Sequence, residues 1–265
     1  MDKQRYFENI ESYKLLAKHE VGQNFLVDSD ICERIVGALD IQRGEEVLEI
    51  GSGAGSLTYF LSEAKGHVTA IDIDEGLIAK LQGELEGVNV IYGNAAKWDY
   101  APYDKIIGNL PYYITSLIIE RVLLHSSKAK KLVFMIQKEA AERILAPVST
   151  KDYGPLPILV SLYGKAKRLF NVGRHYFVPA PHVDSCVIEI VHGGEDIETL
   201  NRVCKLTQSL FLQRRKTLLN NLKNYLHDGE FARDALMHLG LKENARPEEV
   251  TPDQYLALAD FITRK

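Results

Sequence analysis

The sequence predicts an α/β fold, a doubly wound and mostly parallel sheet, with a small all-α domain at its C-terminal end. Three observations predict it. Glu46-Val47-Leu48-Glu49-Ile50 is a short apolar run that leads straight into Gly51-Ser52-Gly53-Ala54-Gly55. Leu57, Phe60, Leu61 and Ala64 then share a helical stripe, so strand, glycine loop and helix follow one another as in a Rossmann-like βαβ unit. Past Gly193-Gly194 the strand signal vanishes and only helical periodicity remains. The expected domains are 1–192 and 193–265.

Each element follows from local pattern. The lead, residues 1–20, is polar, with one amphipathic turn at 13–17. After Gly22-Gln23-Asn24-Phe25-Leu26, one of Asp28, Ser29 and Asp30 caps a helix, because Ile31, Ile35, Val36 and Leu39 recur at helical spacing. Beyond the glycine loop, a second strand at 67–71 ends at Asp72-Ile73-Asp74, and Leu77, Ile78, Leu81 and Leu85 mark the next helix. A third strand at 88–92 ends in Gly93-Asn94, and a fourth at 103–108 delivers Asn109-Leu110-Pro111-Tyr112. Helix 115–125 is followed by a fifth strand at 131–136, whose continuous apolar run suits a parallel strand covered on both faces. Residues 137–145 are helical, and Pro155 and Pro157 are tolerable only in the first turn of a further helix. The last two strands fall at 168–172 and 183–191, with Phe177-Val178-Pro179-Ala180-Pro181 between them. Residues 200–226, 231–239 and 252–262 read as the helices of the tail.

Composition narrows the class. A chain of 265 residues can bury a full core with room for a small appendage. The three cysteines, Cys32, Cys186 and Cys204, form neither a metal spacing nor an even disulfide set, which suits a reducing cytoplasm. The first residues lack the apolar stretch of a signal peptide, and no run approaches a membrane span. A net charge of −4 gives no global attraction to nucleic acid, so any phosphate contact must come from local clusters.

The motifs supply the chemistry. In a doubly wound sheet the ligand lies beyond the carboxyl ends of the strands, where the first and fourth diverge. Gly51, Gly53 and Gly55 let the backbone approach a ligand closely, and Glu-Ile-Gly-x-Gly-x-Gly is the form used for S-adenosylmethionine. Asp72, roughly 20 residues on at the tip of the second strand, is placed to accept from ribose hydroxyls. Asn94, at the tip of the third, can face the adenine of that donor.

Asn109-Leu110-Pro111-Tyr112 is the reaction centre of this reading. An exocyclic adenine nitrogen is a poor nucleophile because its lone pair is delocalised into the ring. If the Asn109 side-chain oxygen and the Leu110 carbonyl accept its two hydrogens, the lone pair is directed at the methyl group; the work is positioning and electrostatics. Pro111 fixes the turn, and Tyr112 offers a stacking face to an everted base. Phe177, framed by prolines, is the natural second face, with core burial as its competitor. Arg214, Arg215 and Lys216, with Lys223, give the helical tail local positive charge suited to phosphate contacts, although charge runs on helices are commonly solvated faces.

With these residues in view, the chain resembles the ribosomal RNA small-subunit adenine N6-dimethyltransferase family of the KsgA type. The match spans nearly the whole chain: Gly-Gln-Asn-Phe-Leu (22–26), Glu-Ile-Gly-Ser-Gly-Ala-Gly-Ser-Leu-Thr (49–58), Asn-Leu-Pro-Tyr (109–112), Gln-Lys-Glu-x-Ala-x-Arg (137–143), Phe-x-Pro-x-Pro-x-Val-Asp-Ser (177–185) and Phe-x-Gln-Arg-Arg-Lys-Thr-Leu (211–218). The resemblance implies methylation of two adjacent adenines in a 3′-terminal hairpin loop of small-subunit 16S rRNA within an immature 30S particle. It implies S-adenosyl-L-methionine as co-substrate, with Gln23, Asn24 and Leu26 lining the donor site; no metal is expected, and the chain is expected to be a monomer in the cytoplasm. Three positions depart from the family pattern: Asn94 where aspartate is usual, Asp72 where glutamate is frequent, and a less basic lead at Lys18-His19-Glu20-Val21. The competing readings are a macrolide-resistance methyltransferase acting on large-subunit 23S rRNA, and a ribosome-assembly binding factor without turnover. Arg-Arg-Lys-Thr-Leu and Pro-x-Val-Asp-Ser favour the first reading over the macrolide type, and the intact Asn109 turn argues against a pure binder.

Overall fold

The computed structural model of the protein describes residues 23–263. The polar lead, with its turn at 13–17, the Lys18-His19-Glu20-Val21 segment and Gly22 lie outside the described residues. Strand β1 (Phe25–Leu26) leads into helix α1 (Ser29–Leu39), which Asp28 caps by accepting from the Ile31 N–H at 2.9 Å. The alternation that follows is β2 (Glu46–Ile50), α2 (Thr58–Leu61), β3 (His67–Asp72), α3 (Glu75–Glu84) and β4 (Val88–Tyr92). Next come β5 (Lys105–Asn109), α4 (Thr115–His125), β6 (Lys131–Gln137), α5 (Lys138–Ile144) and α6 (Pro155–Tyr163). After β7 (Gly164–Val172), β8 (Phe177–Val178) and β9 (Ser185–His192), the chain ends in α7 (Ile197–Phe211), α8 (Leu218–Leu226), α9 (Gly229–His238) and α10 (Pro252–Thr263).

The seven-stranded sheet has the order β4-β3-β2-β5-β6-β9-β7. Its first five strands run parallel, and β9 returns antiparallel to β6. From β2 the chain builds outward through β3 and β4, then crosses back to lay β5 on the other side of β2. The carboxyl ends of β2 and β5 are therefore the switch point at which such sheets bind ligands. Here Gly108 pairs with Ile50, so closely that a Cβ on Gly108 would stand 2.5 Å from the Ile50 carbonyl oxygen. The core of this region, which includes Ile35, Leu39, Val47, Leu61, Ile107, Val133 and Val187, packs α1 and α2 against the sheet.

The described residues fall into two compact units. One holds residues 23–141 together with 166–192; the other holds 142–165 and 193–263. A boundary drawn at 192 leaves α6 with the sheet, whereas α6 packs on α7 and α10 and so belongs to the helical unit. The expected long helix over 200–226 is also broken. α7 stops at Phe211, and Thr217 caps α8 by accepting from the Asn220 N–H at 3.3 Å. Gln213-Arg214-Arg215-Lys216 offers no apolar residue to continue the buried stripe, so the chain turns there.

Candidate active site

The glycine loop after β2 and the tips of β3, β4 and β5 enclose two neighbouring clefts, both within the sheet-containing unit. The first, about 620 Å³, is lined by residues that include Gln23, Asn24, Gly51, Gly53, Asp72 and Asn109. The second, about 710 Å³, has Gly51, Asp72, Gly93, Asn94 and Ile118 among its lining residues. Gly51 (φ 76°) and Gly53 (φ 53°) take left-handed backbone conformations that let the loop turn over the strand end. A Cβ on Gly53 would come within 3.3 Å of the Phe25 ring, because the ribbon of β1 and β8 lays residues 23–25 beside the loop.

Asp72 is held by backbone donors at the tip of β3. One carboxylate oxygen accepts from the Gly53 N–H at 2.8 Å and the other from the Asp74 N–H at 2.9 Å. Burial holds its pKa above the usual carboxylate value, with these backbone donors opposing part of the rise. Asn94 caps a short 3-10 turn (Ala95–Lys97), its oxygen accepting from the Ala96 N–H at 2.9 Å. In the side chain expected to face the donor's adenine, one lone pair of the oxygen is thus already engaged by the backbone.

Beneath the loop lies a feature the motifs did not announce. Glu49 and Ser52 are 1% and 2% exposed, and Glu49 Oε2 and Ser52 Oγ have no hydrogen-bond partner among the described residues. Burial pushes the Glu49 carboxyl up to about 8, with the neighbouring Thr58 hydroxyl opposing and the charge of Asp72 adding to the rise. Ser52 lines the first cleft, as does the buried Ser56. Orphaned buried polar atoms beside a cleft are costly unless a ligand or water meets them.

The turn after β5 is rigid. Leu110, 1% exposed, donates its N–H to the Met135 carbonyl at 3.0 Å, and Thr115 Oγ1 donates to the Pro111 carbonyl at 2.9 Å. The Asn109 side-chain nitrogen donates to the Asn24 carbonyl at 3.3 Å, which settles the orientation of the amide and leaves its oxygen as the acceptor. Tyr112 is half-buried; its hydroxyl bonds Ser185 Oγ at 2.9 Å, and burial raises its pKa. Asn109, Leu110, Pro111 and Tyr112 all line the first cleft.

Several expected site residues lie elsewhere. Phe177 is 2% exposed, pairs with Leu26 across the ribbon and packs into the cluster that holds Met135 and Val187. It does not line the cleft: the ring expected to face a base is buried in that cluster instead. Leu26 is itself fully buried in that cluster and lines neither cleft. Gly55 (φ 99°) also stays outside the lining, and a Cβ there would stand 2.6 Å from a Leu81 methyl, so its task is packing the loop onto α3.

In the helical unit, Arg214 is committed to structure. Its guanidinium donates to the carbonyls of Lys151 and Thr150, the latter at 2.8 Å, and lies 3.6 Å from Glu248. Arg215 and Lys216 are exposed on the turn between α7 and α8, beside the exposed Leu212. Lys223 is half-buried in the last turn of α8. No helix among the described residues is long and apolar enough to cross a membrane, and no group of His, Cys, Asp and Glu there is arranged to hold a metal.

Sequence could have offered Tyr113, which follows Tyr112 directly and lines both clefts. Ile73 does the same from the tip of β3. Neither has a distinguishing motif; only the shape of the cleft marks them.

Comparison with known proteins agrees with this geometry. Residues 15–264 match the family described as ribosomal RNA adenine dimethylase. The chain is 37% identical over 273 residues to ribosomal RNA small subunit methyltransferase A of Streptococcus pneumoniae, covering 96% of this chain and 94% of that one. It is 36% identical to the protein of that name from Listeria monocytogenes, covering 97% and 95%. Among solved structures it is similar to a dimethyladenosine transferase from Plasmodium falciparum (TM-score 0.75, 28% identity, 89% of this chain and 97% of that one). It is also similar to the 23S rRNA methyltransferase ErmE (TM-score 0.65, 26% identity, 91% and 100%). A glycine-loop cleft facing an oriented asparagine, and a match along nearly the whole chain, lead to one assignment: the chain belongs to the ribosomal RNA adenine dimethylase family.

Proposed function

We propose that this enzyme transfers methyl groups from S-adenosyl-L-methionine to N6 of two adjacent adenines in a 3′-terminal hairpin loop of 16S rRNA, within an immature 30S particle. The observation that carries the reading is the Asn109 amide: its nitrogen is bound to the Asn24 carbonyl, so its oxygen is the atom left to accept an amino hydrogen. With the Leu110 carbonyl as second acceptor, the adenine nitrogen loses planarity and its lone pair is freed from the ring. One N–H proton leaves to solvent after transfer, so no base of special pKa is needed. Tyr112, its ring held through Ser185, gives the base a face.

The donor fits the residues present. Gly51 and Gly53 allow close backbone approach, Asp72 and Asn94 line the slot, and the orphaned Ser52 hydroxyl supplies a polar atom in search of a partner. Bound there with Gln23 and Asn24 beside it, S-adenosyl-L-methionine would supply an electrophilic methyl group on a sulfonium. For RNA, the support is Arg215 and Lys216 on their exposed turn, with the 193–265 helices as the recognition domain. The protein acts as a monomer in the cytoplasm.

Asn109→Ala tests the chemistry. It is expected to lower methyl transfer by at least 100-fold, about 3 kcal/mol or more in the barrier, while RNA binding stays within about twofold. A binding factor without turnover would show no loss, because wild type would transfer nothing.

A further inference from the structure

The aromatic faces that a flipped base and its neighbours require are unevenly available in this structure. Phe177 is buried, and Tyr112 is half-buried with its hydroxyl tied down. Tyr113 is 61% exposed and borders both clefts. It sits in a 3-10 turn (Tyr112–Ile114) that is fixed at its start by Pro111 (φ −58°) and by the Thr115 hydroxyl on the Pro111 carbonyl. Ile73, 44% exposed, borders the same two clefts, and Leu117, 45% exposed, follows Tyr113 by one helical turn. Exposed apolar groups that together border a cleft mark a candidate interaction surface.

We propose that Tyr113 is a positioning residue that stacks on the nucleotide flanking the target adenine, an inference that rests on the function proposed above. Turning one adenine into the first cleft strips its neighbour of a stacking partner. A rigid exposed ring at the mouth replaces that partner, and it does so for any base because every base has a π-face. With Ile73 bordering the same two clefts, the surroundings of the ring are apolar, so it suits an unstacked base rather than a phosphate. The donor's own base is the competing occupant, since Tyr113 also borders the second cleft; that slot already has apolar walls in Ile71, Ala95 and Ile118.

Steady-state transfer of labelled methyl groups to immature small subunits, alongside equilibrium binding of the donor alone, separates these roles. Tyr113→Ala is expected to raise KM for the subunits about tenfold, with kcat and donor Kd within about twofold of wild type. Tyr113→Phe is expected to restore KM to within about twofold. A rise in donor Kd with unchanged KM for RNA would assign the ring to the donor and overturn the inference. So would Tyr113→Phe matching the alanine variant, or an alanine variant indistinguishable from wild type. An inactive wild type would instead overturn the proposed function, and the two failures are thereby told apart; unchanged donor binding also certifies that the variants are folded.

Discussion

At the scale of single residues, the site depends on polar atoms whose partners are fixed. Asn109 is informative because one end of its amide is bound and the other is thereby defined. Glu49 is the opposite case, a carboxyl 1% exposed with one oxygen unpartnered. Its pKa rises from 4.5 to about 8 on folding, so the folded protein holds a proton that the unfolded chain releases between those values. As far as this group is concerned, stability is then highest below pH 4.5 and falls as pH rises to about 8. Denaturant unfolding of the ligand-free protein from pH 5 upward should show that decline. Glu49→Gln, which keeps the neutral shape, should flatten it, and an unchanged slope in the variant would refute the assignment.

At the scale of elements, the sequence was most legible where one short segment carried its own instruction. The Gly51–Gly53 loop, the Asp28 cap and the apolar β6 run each formed where local pattern placed them, since period, cap and glycine act within a few residues. Phe177 and Arg214 were not legible. Phe177 is buried in a cluster assembled from distant segments, including Met135 and Val187, and its strand pairs with β1 in a ribbon that no local pattern announces. The carbonyls of Thr150 and Lys151, which claim Arg214, are backbone atoms that every sequence possesses. The break of the long helix at 212–217 splits the basic cluster into one structural arginine and two exposed cations. Arg214→Ala should therefore cost about 1–3 kcal/mol of stability in denaturant unfolding, because carbonyls lose a charged donor. Arg215→Ala with Lys216→Ala should stay within about 0.5 kcal/mol of wild type. The double variant should lower the salt dependence of RNA binding by a slope of about 2, measured by binding to small subunits over a range of salt. If Arg214→Ala changed RNA affinity but not stability, the division would be wrong.

At the scale of the whole molecule, the sheet supplies the geometry of transfer and the helical unit supplies surface. The switch point between β2 and β5 brings the glycine loop and the Asn109 turn together, because Gly108 allows β5 to run tight against Ile50. The helical unit is larger than its C-terminal span, since it recruits α6 from the middle of the chain. The net charge of −4 suits a protein that attracts RNA through local clusters rather than a global field. The proposed function assigns the chemistry to Asn109 and its neighbours, and phosphate contacts to Arg215 and Lys216 in the helical unit. The measurement that tests this most directly is transfer from labelled S-adenosyl-L-methionine onto immature small subunits and, separately, large subunits, followed by nucleoside analysis of the RNA. The account predicts N6,N6-dimethyladenosine at two adjacent positions of 16S rRNA, lost with Asn109→Ala. Label confined to 23S rRNA, or none in either, would contradict it.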